Sequence, residues 1–191
     1  MLSNRISRHL LPALALMCCR ADVVSARGFD GVEVHGFATQ GYIKTSANSF
    51  FGDSEDGSFE FTELGVNASM DATENIRLSG QLLSRSAGEM YSGTPSIDFA
   101  LADYTVRSTE NDNIGVMVGR IKNPLGLFNE TRDVAFTRPG FLVPQVVYYD
   151  KVRNLILSAD GVAARMASFG EAANVSLYLA AGQTRIDENV E

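Results

Sequence analysis

Segments with the residue types of β-strands follow one another along this chain, and the connections between them are alternately long and short. Seven such segments are recognised, at 32–43, 58–70, 75–85, 96–107, 113–121, 160–168 and 174–183. The second, fourth and sixth are followed by short connections, at 71–74, 108–112 and 169–173. The first, third and fifth are followed by long ones, at 44–57, 86–95 and 122–158. This order predicts an antiparallel transmembrane β-barrel, because strands that cross a bilayer have tight turns on one side and large loops on the other.

Apolar and polar residues alternate most clearly in the seventh segment. Val175, Leu177 and Leu179 share one face, whereas Ser176 and Tyr178 share the other. A barrel wall requires this pattern, with apolar side chains toward lipid and polar ones toward the lumen. A half-buried sheet in a soluble β-sandwich shows the same alternation, so periodicity alone leaves both folds open.

The fifth segment departs from simple alternation at Arg120. Ile114, Val116 and Val118 place this arginine on their own apolar face. Either Arg120 therefore lies above the membrane, or a β-bulge shifts the phase of the strand.

The N-terminus has the three parts of a secretory signal peptide. Arg5 and Arg8 precede an apolar run at 10–19, and small residues lead up to Ala26. The apolar run is too short to span a bilayer as a helix, for which roughly twenty residues are needed. We therefore expect residues 1–26 to be removed and the exported chain, residues 27–191, to begin at Arg27.

Charge and cysteine content exclude several classes of protein. Both cysteines, Cys18 and Cys19, lie in the predicted signal peptide, so the exported chain has no thiols and must be stabilised without disulfides. Residues 1–26 carry three Arg and one Asp, so their removal lowers the formal charge from −7 to −9. Such an acidic chain is not expected to bind nucleic acid.

Basic residues concentrate in the longest connection. Between Arg120 and Arg153 there are six basic and three acidic residues, a local charge of +3 in an acidic chain. The bases are Arg120, Lys122, Arg132, Arg138, Lys151 and Arg153.

Two stretches of the chain resemble a known family. The sequence GRIKNPLGLFNETRD at 119–133, followed by TRP at 137–139 and PQ at 144–145, resembles a segment of Gram-negative outer-membrane porins allied to the phosphate-selective type. The stretch VHGFATQGY at 34–42 is similar to their first strand. The resemblance implies a barrel of roughly sixteen strands with a long loop after the fifth strand that folds inward. An odd set of seven strands cannot close as such a barrel, so we expect the N-terminal half of a larger porin.

The inward loop carries the predicted site. Its basic side chains would select solutes by charge in the narrowed lumen, at Lys122, Arg132, Arg138, Lys151 and Arg153. Glu130 and Asp133 would anchor the loop to the wall, and Arg132 beside them could serve as a structural ion pair instead of facing the solute. The expected function is passive diffusion of small hydrophilic solutes, anions in particular, across the cell outer membrane. Lipid and these solutes are the expected partners, and a homotrimer is among the expected assemblies.

Two other classes of protein would share part of this sequence pattern. A secreted β-sandwich that acts as a binding or adhesion module would have similar strands, but it gives no reason for the alternating connection lengths. A barrel enzyme of the lipase or protease type would need a catalytic cluster near its rim. His35 is the only histidine outside the signal peptide, and Asp98 and Asp103 have opposite parity in their strand, so paired-carboxylate chemistry is not expected. We expect no enzyme activity, no cofactor and no metal.

Overall fold

Seven antiparallel strands form one open sheet in the computed structural model, which describes residues 31–46, 52–88, 91–132, 143–144, 146–148 and 152–186. The elements are β1 Val32–Ile43, β2 Ser58–Thr73, β3 Ile76–Ala87, β4 Ser96–Ser108, β5 Asp112–Lys122, α1 Arg153–Ile156, β6 Ser158–Phe169 and β7 Asn174–Gln183. Each strand pairs with its sequence neighbours, in the order β1 to β7. Within the described ranges, no helix has the length and hydropathy of a membrane span.

The seven predicted strands and their antiparallel order are confirmed, and the bounds of β1 and β7 are those predicted. The turn between β2 and β3 is tighter than expected, because β2 continues to Thr73. The Thr73 hydroxyl accepts hydrogen bonds from the backbone N–H groups of Asn75 and Ile76, at 3.3 and 3.0 Å. This side chain therefore closes the turn with only residues 74–75 between the strands.

The two faces of the sheet differ in character. Because residues paired across antiparallel strands share a face, the register sorts the side chains into two sets. The first, which we call the apolar face, carries side chains that are 39% to 61% exposed: Leu64, Val66, Leu78, Leu82, Val116, Val118, Val162, Leu177 and Leu179. The second, the polar face, carries Glu63, Asn67, Gln81, Arg85, Asp103, Asn113 and Arg165. Large apolar side chains are thus exposed on one face, while charged groups are buried on the other.

A β-bulge in β4 changes the face on which Asp98 lies. Gln81 pairs with Phe99 and Leu82 with Ile97, so Asp98 is an extra residue with no partner in β3. Its carboxylate is buried on the polar face, which it shares with Asp103. The expectation that Asp98 and Asp103 lie on opposite faces is therefore wrong, because the extra residue shifts the alternation between them.

Arg120 lies on the apolar side of β5 by register, and no bulge in β5 moves it. β5 pairs with β6 from Asp112 to Lys122 without a shift, which excludes the bulge alternative. The side chain is buried at the end of the strand, where Nη1 lies 3.5 Å from the Asp160 carboxylate and Nη2 donates to Asn154 Oδ1 at 2.9 Å.

Three glycines lie side by side across β5, β6 and β7. Gly119 pairs with Gly161, and Gly161 pairs with Gly182. A Cβ atom added to Gly161 would lie 2.1 Å from the Ala181 carbonyl oxygen, and one added to Gly119, whose φ is +128°, would lie 2.3 Å from the carbonyl oxygen of β4 at residue 100. Neighbouring backbones thus approach so closely that only glycine fits, as at a sharp bend of a sheet.

The described parts of the connection between β5 and β6 have a small apolar core of their own. Val143, Tyr148 and Leu157 are buried together, and Phe128 packs against them. The Tyr148 hydroxyl accepts a hydrogen bond of 2.7 Å from the Phe128 backbone N–H. This cluster joins the start, middle and end of the connection into one packed unit.

Candidate functional site

The buried carboxylate of Asp98, on the polar face, lies close to four charged or polar side chains. Asp98 Oδ1 accepts hydrogen bonds from Arg132 Nη2 at 2.6 Å and from Arg153 Nη2 at 3.3 Å. Asp98 Oδ2 accepts one from Gln81 Nε2 at 3.2 Å, and Lys122 Nζ lies 4.0 Å from the same oxygen. We call these five residues the Asp98 cluster.

The members of the Asp98 cluster come from two parts of the fold. Asp98 and Gln81 belong to the sheet, on β4 and β3. Lys122 ends β5, Arg132 lies in the connection that follows, and Arg153 begins α1. Because every base comes from β5 or the connection after it, while the acid comes from the neighbouring strand β4, the cluster holds the connection against the polar face.

Asn129 fixes the same connection through backbone groups. Its side chain is buried and donates to the carbonyl oxygens of Asn123 at 2.6 Å and Leu157 at 2.8 Å. Its Oδ1 accepts a hydrogen bond from Arg132 Nη1. The Asn123 N–H also donates to the Leu157 carbonyl, at 3.0 Å. Asn129 thereby brings the two ends of the connection together and orients Arg132 toward Asp98.

The connection between β3 and β4 packs against a second buried ion pair, which joins β2 to β3. Arg85 Nη1 lies 3.0 Å from Glu63 Oε1, and both side chains are 6% exposed. The Arg85 guanidinium lies over the rings of Phe61 and Tyr91, at 5.0 and 5.6 Å from their centroids. Since Tyr91 belongs to this connection and Phe61 to β2, the pair packs the connection onto the polar face. Ser84 adds a 2.6 Å hydrogen bond to the Gly93 carbonyl.

Toward the short turns, acids and bases alternate on the polar face. Arg165 donates to both carboxylate oxygens of Asp103 at 3.1 Å and also to Asn113 Oδ1. Arg77 lies 2.7 Å from Glu33. These pairs are more exposed than the Asp98 cluster, so solvent screens them more and each contributes less to stability.

The predicted selectivity residues lie in different environments. The side chains of Arg132 and Arg153 are only 1% and 6% exposed, within the Asp98 cluster. Lys122 is 17% exposed and is the member of the cluster that reaches furthest toward solvent. Arg138 and Lys151 lie outside the described residues. Their roles in selectivity stay predictions.

Of the two predicted anchoring residues, Glu130 and Asp133, only Glu130 lies in the described ranges. Glu130 is exposed, and its carboxylate makes no ion pair with any residue that the structure describes. Its backbone carbonyl lies 3.5 Å from Lys122 Nζ. Asp133 lies outside the described residues. The anchoring contacts that are present use Asp98 and Asn129, neither of which the sequence pattern indicated.

Comparisons of the chain with protein-family models, with curated proteins and with solved structures found no match. In the described ranges, no three side chains among His, Cys, Asp and Glu are grouped as metal ligands. His35 lies on the polar face, where it pairs across the sheet with Asn67.

Proposed function

We propose that this chain forms part of the wall of an outer-membrane β-barrel that passes small hydrophilic solutes, anions in particular, by passive diffusion. One observation carries the proposal. In a single antiparallel sheet, one face is apolar and exposed, and the other face holds buried charged groups. Soluble monomers rarely expose contiguous apolar patches larger than a few hundred Å². In a bilayer, the same face is the side that lipid stabilises.

The dimensions of the strands support this proposal. A strand tilted across a bilayer needs about 9 to 11 residues. β1 to β7 contain between 10 and 16 residues each, so every one is long enough. The tilted pair of exposed rings of Tyr42 and Phe59, with centroids 4.9 Å apart, lies at the end with the long connections. Aromatic side chains are common at that level of a barrel, where lipid meets water.

The connections that follow β3 and β5 support a constricted pore. The connection after β5 packs on the polar face through buried ion pairs, and the connection after β3 packs there through Tyr91, whose ring lies against the buried Arg85. The polar face is the side of the lumen if the sheet closes. A loop held inside a barrel narrows the channel so that side chains select by size and charge. The segment from Arg120 to Arg153 has a local charge of +3, and in a narrow lumen nearby charges outweigh distant ones. This favours anions.

Closure of the barrel requires further strands. Among the described elements, β1 pairs only with β2, and β7 pairs only with β6. Unpaired backbone groups at such edges cost several kcal/mol each in lipid. We infer that these seven strands belong to a barrel of roughly sixteen.

Electrophoresis of membrane fractions tests the proposal. The whole protein to which these seven strands belong is expressed in a Gram-negative host, extracted from the outer membrane in detergent and run with and without boiling. A closed barrel stays folded in the unboiled sample and migrates differently after boiling. Recovery of a monodisperse monomer in detergent-free buffer would instead favour the secreted β-sandwich, in which a second sheet must cover the apolar face.

A further inference from the structure

A groove runs along the polar face beside the Asp98 cluster. Its volume is about 240 Å³. Apolar side chains of β4 and β5 form most of its surface: Phe99, Leu101, Met117 and Ile121. The groove therefore has room for a small solute, about the size of leucine.

The two charged residues that line this groove have opposite signs. Lys122 Nζ lies 4.8 Å from the centroid of the Phe99 ring, at the strand end of the groove. Glu130 lies on the connection side, and its carboxylate is not paired with a described residue. These two side chains form no salt bridge with each other, and Lys122 Nζ lies 3.5 Å from the Glu130 backbone carbonyl oxygen. A cationic and an anionic group thus border one apolar surface.

We propose that this groove is a transient binding site for small amphipathic zwitterions, which have an apolar body, one carboxylate and one ammonium group. Lys122 interacts with the carboxylate, Glu130 with the ammonium group, and the apolar body covers Leu101, Met117 and Ile121. The proposal rests on the proposed pore function and names a class of solute for it.

Other classes of solute do not match all three features of the groove, which are its cationic group, its anionic group and its apolar surface. A simple anion is attracted by Lys122 but repelled by Glu130, and a simple cation experiences the reverse. A sugar covers the apolar surface with hydroxyl groups, which lose their hydrogen bonds to water there. Only a solute with both charges and an apolar body meets all three features. Binding is expected to be weak, because a solute that passes through a pore must also leave it.

Three related ligands test the proposal on the assembled protein, extracted unboiled from outer membranes. Leucine carries both charges, leucinamide only the positive one and N-acetylleucine only the negative one. Saturation-transfer NMR titrations measure the three affinities. We expect leucine to bind about fivefold more tightly than either analogue, since an exposed ion pair contributes up to about 1 kcal/mol.

Two variants and one control locate the binding. Glu130→Gln should abolish the advantage of leucine over N-acetylleucine, and Met117→Trp should abolish saturable leucine binding by filling the groove. Glu171→Gln removes an exposed acid in the turn between β6 and β7, and it should keep the wild-type order of affinities. Equal affinities for the three ligands, no saturable leucine signal, or an unchanged order in Glu130→Gln would each overturn the proposal.

Bilayer recordings separate this proposal from that of the pore. Conductance that leucine does not reduce, together with no saturable binding, rejects the groove site and retains the pore. Saturable binding without conductance rejects the pore and retains the groove site.

Discussion

Arg132 and Asp98 join two elements that are 34 residues apart in the chain, with Arg132 Nη2 2.6 Å from Asp98 Oδ1. Arg153 reaches the same oxygen across 55 residues. One carboxylate on the sheet is therefore shared by two buried guanidinium groups of the connection between β5 and β6. Asp98 thus holds that connection on the polar face at two points.

Replacement of Asp98 by Asn should release the connection between β5 and β6. The change removes the negative charge that the two buried arginines share, and loss of one partner from a buried ion pair costs about 3 to 5 kcal/mol. We expect faster trypsin cleavage within residues 122–158. Asp103→Asn is the matched control, since Asp103 pairs with Arg165 outside this connection. Equal cleavage rates in the two variants would contradict an anchoring role for Asp98.

Glu63→Gln should destabilise the protein far more than a change in an exposed ion pair. Glu63 and Arg85 are each 6% exposed, whereas Arg77 and Glu33 are 45% and 63% exposed. We expect a loss of about 3 to 5 kcal/mol for Glu63→Gln and a much smaller loss for Glu33→Gln, whose ion pair is screened by solvent. Urea unfolding in lipid vesicles measures both. Similar losses would mean that burial does not determine the contribution of these pairs.

Two adjacent residues of β2 test which face meets lipid. Val66 lies on the apolar face near the middle of the strand, and Asn67 lies on the polar face. Val66→Arg should cost about 2 to 4 kcal/mol in a bilayer, whereas Asn67→Arg should be tolerated in a water-filled lumen. The free energy of unfolding in vesicles is the measurement. On a water-exposed face Val66→Arg would change stability by less than about 0.5 kcal/mol, and that result would reject lipid contact.

The ion selectivity of the pore should depend on basic residues of the longest connection. Lys122→Glu or Arg138→Glu should shift the reversal potential under a salt gradient toward cation preference, because each change alters the local charge by two units. Lys44→Glu, in the connection between β1 and β2, makes the same charge change as a control and should shift it less. A cation-selective wild type that neither change affects would show that these side chains serve only to hold the loop.

The strands could be predicted from the sequence because alternation is a local property. In β7, the odd or even position of each residue is enough to predict the face on which its side chain lies. The predicted bounds of this strand match those in the structure. The short turns follow from the same local pattern. The tighter turn after β2 was missed because the Thr73 hydroxyl, which closes it, gives no signal in hydrophobic periodicity.

The anchoring site could not be predicted in the same way, because two nonlocal features create it. The bulge adds one residue to β4 and turns Asp98 toward the polar face, and no residue type at this position indicates it. The sequence offers the nearby Glu130 and Asp133 as partners of Arg132, as the alternative to a role in selectivity. The structure pairs the Arg132 guanidinium with Asp98, which lies 34 positions earlier, a distance at which sequence patterns carry no pairing information.

The order of the strands in space also implies an order in time. Each hairpin pairs neighbouring strands of the chain. Because the entropy cost of closing a loop rises only slowly with its length, each hairpin can form as soon as its second strand is available, including the one with the long connection between β5 and β6. The link from Asp98 to Arg153 must wait until β4, β5 and the whole connection after them are in place. We therefore expect the sheet to assemble first and the connection to pack onto it last, so that an intermediate with an uncovered polar face precedes the mature form.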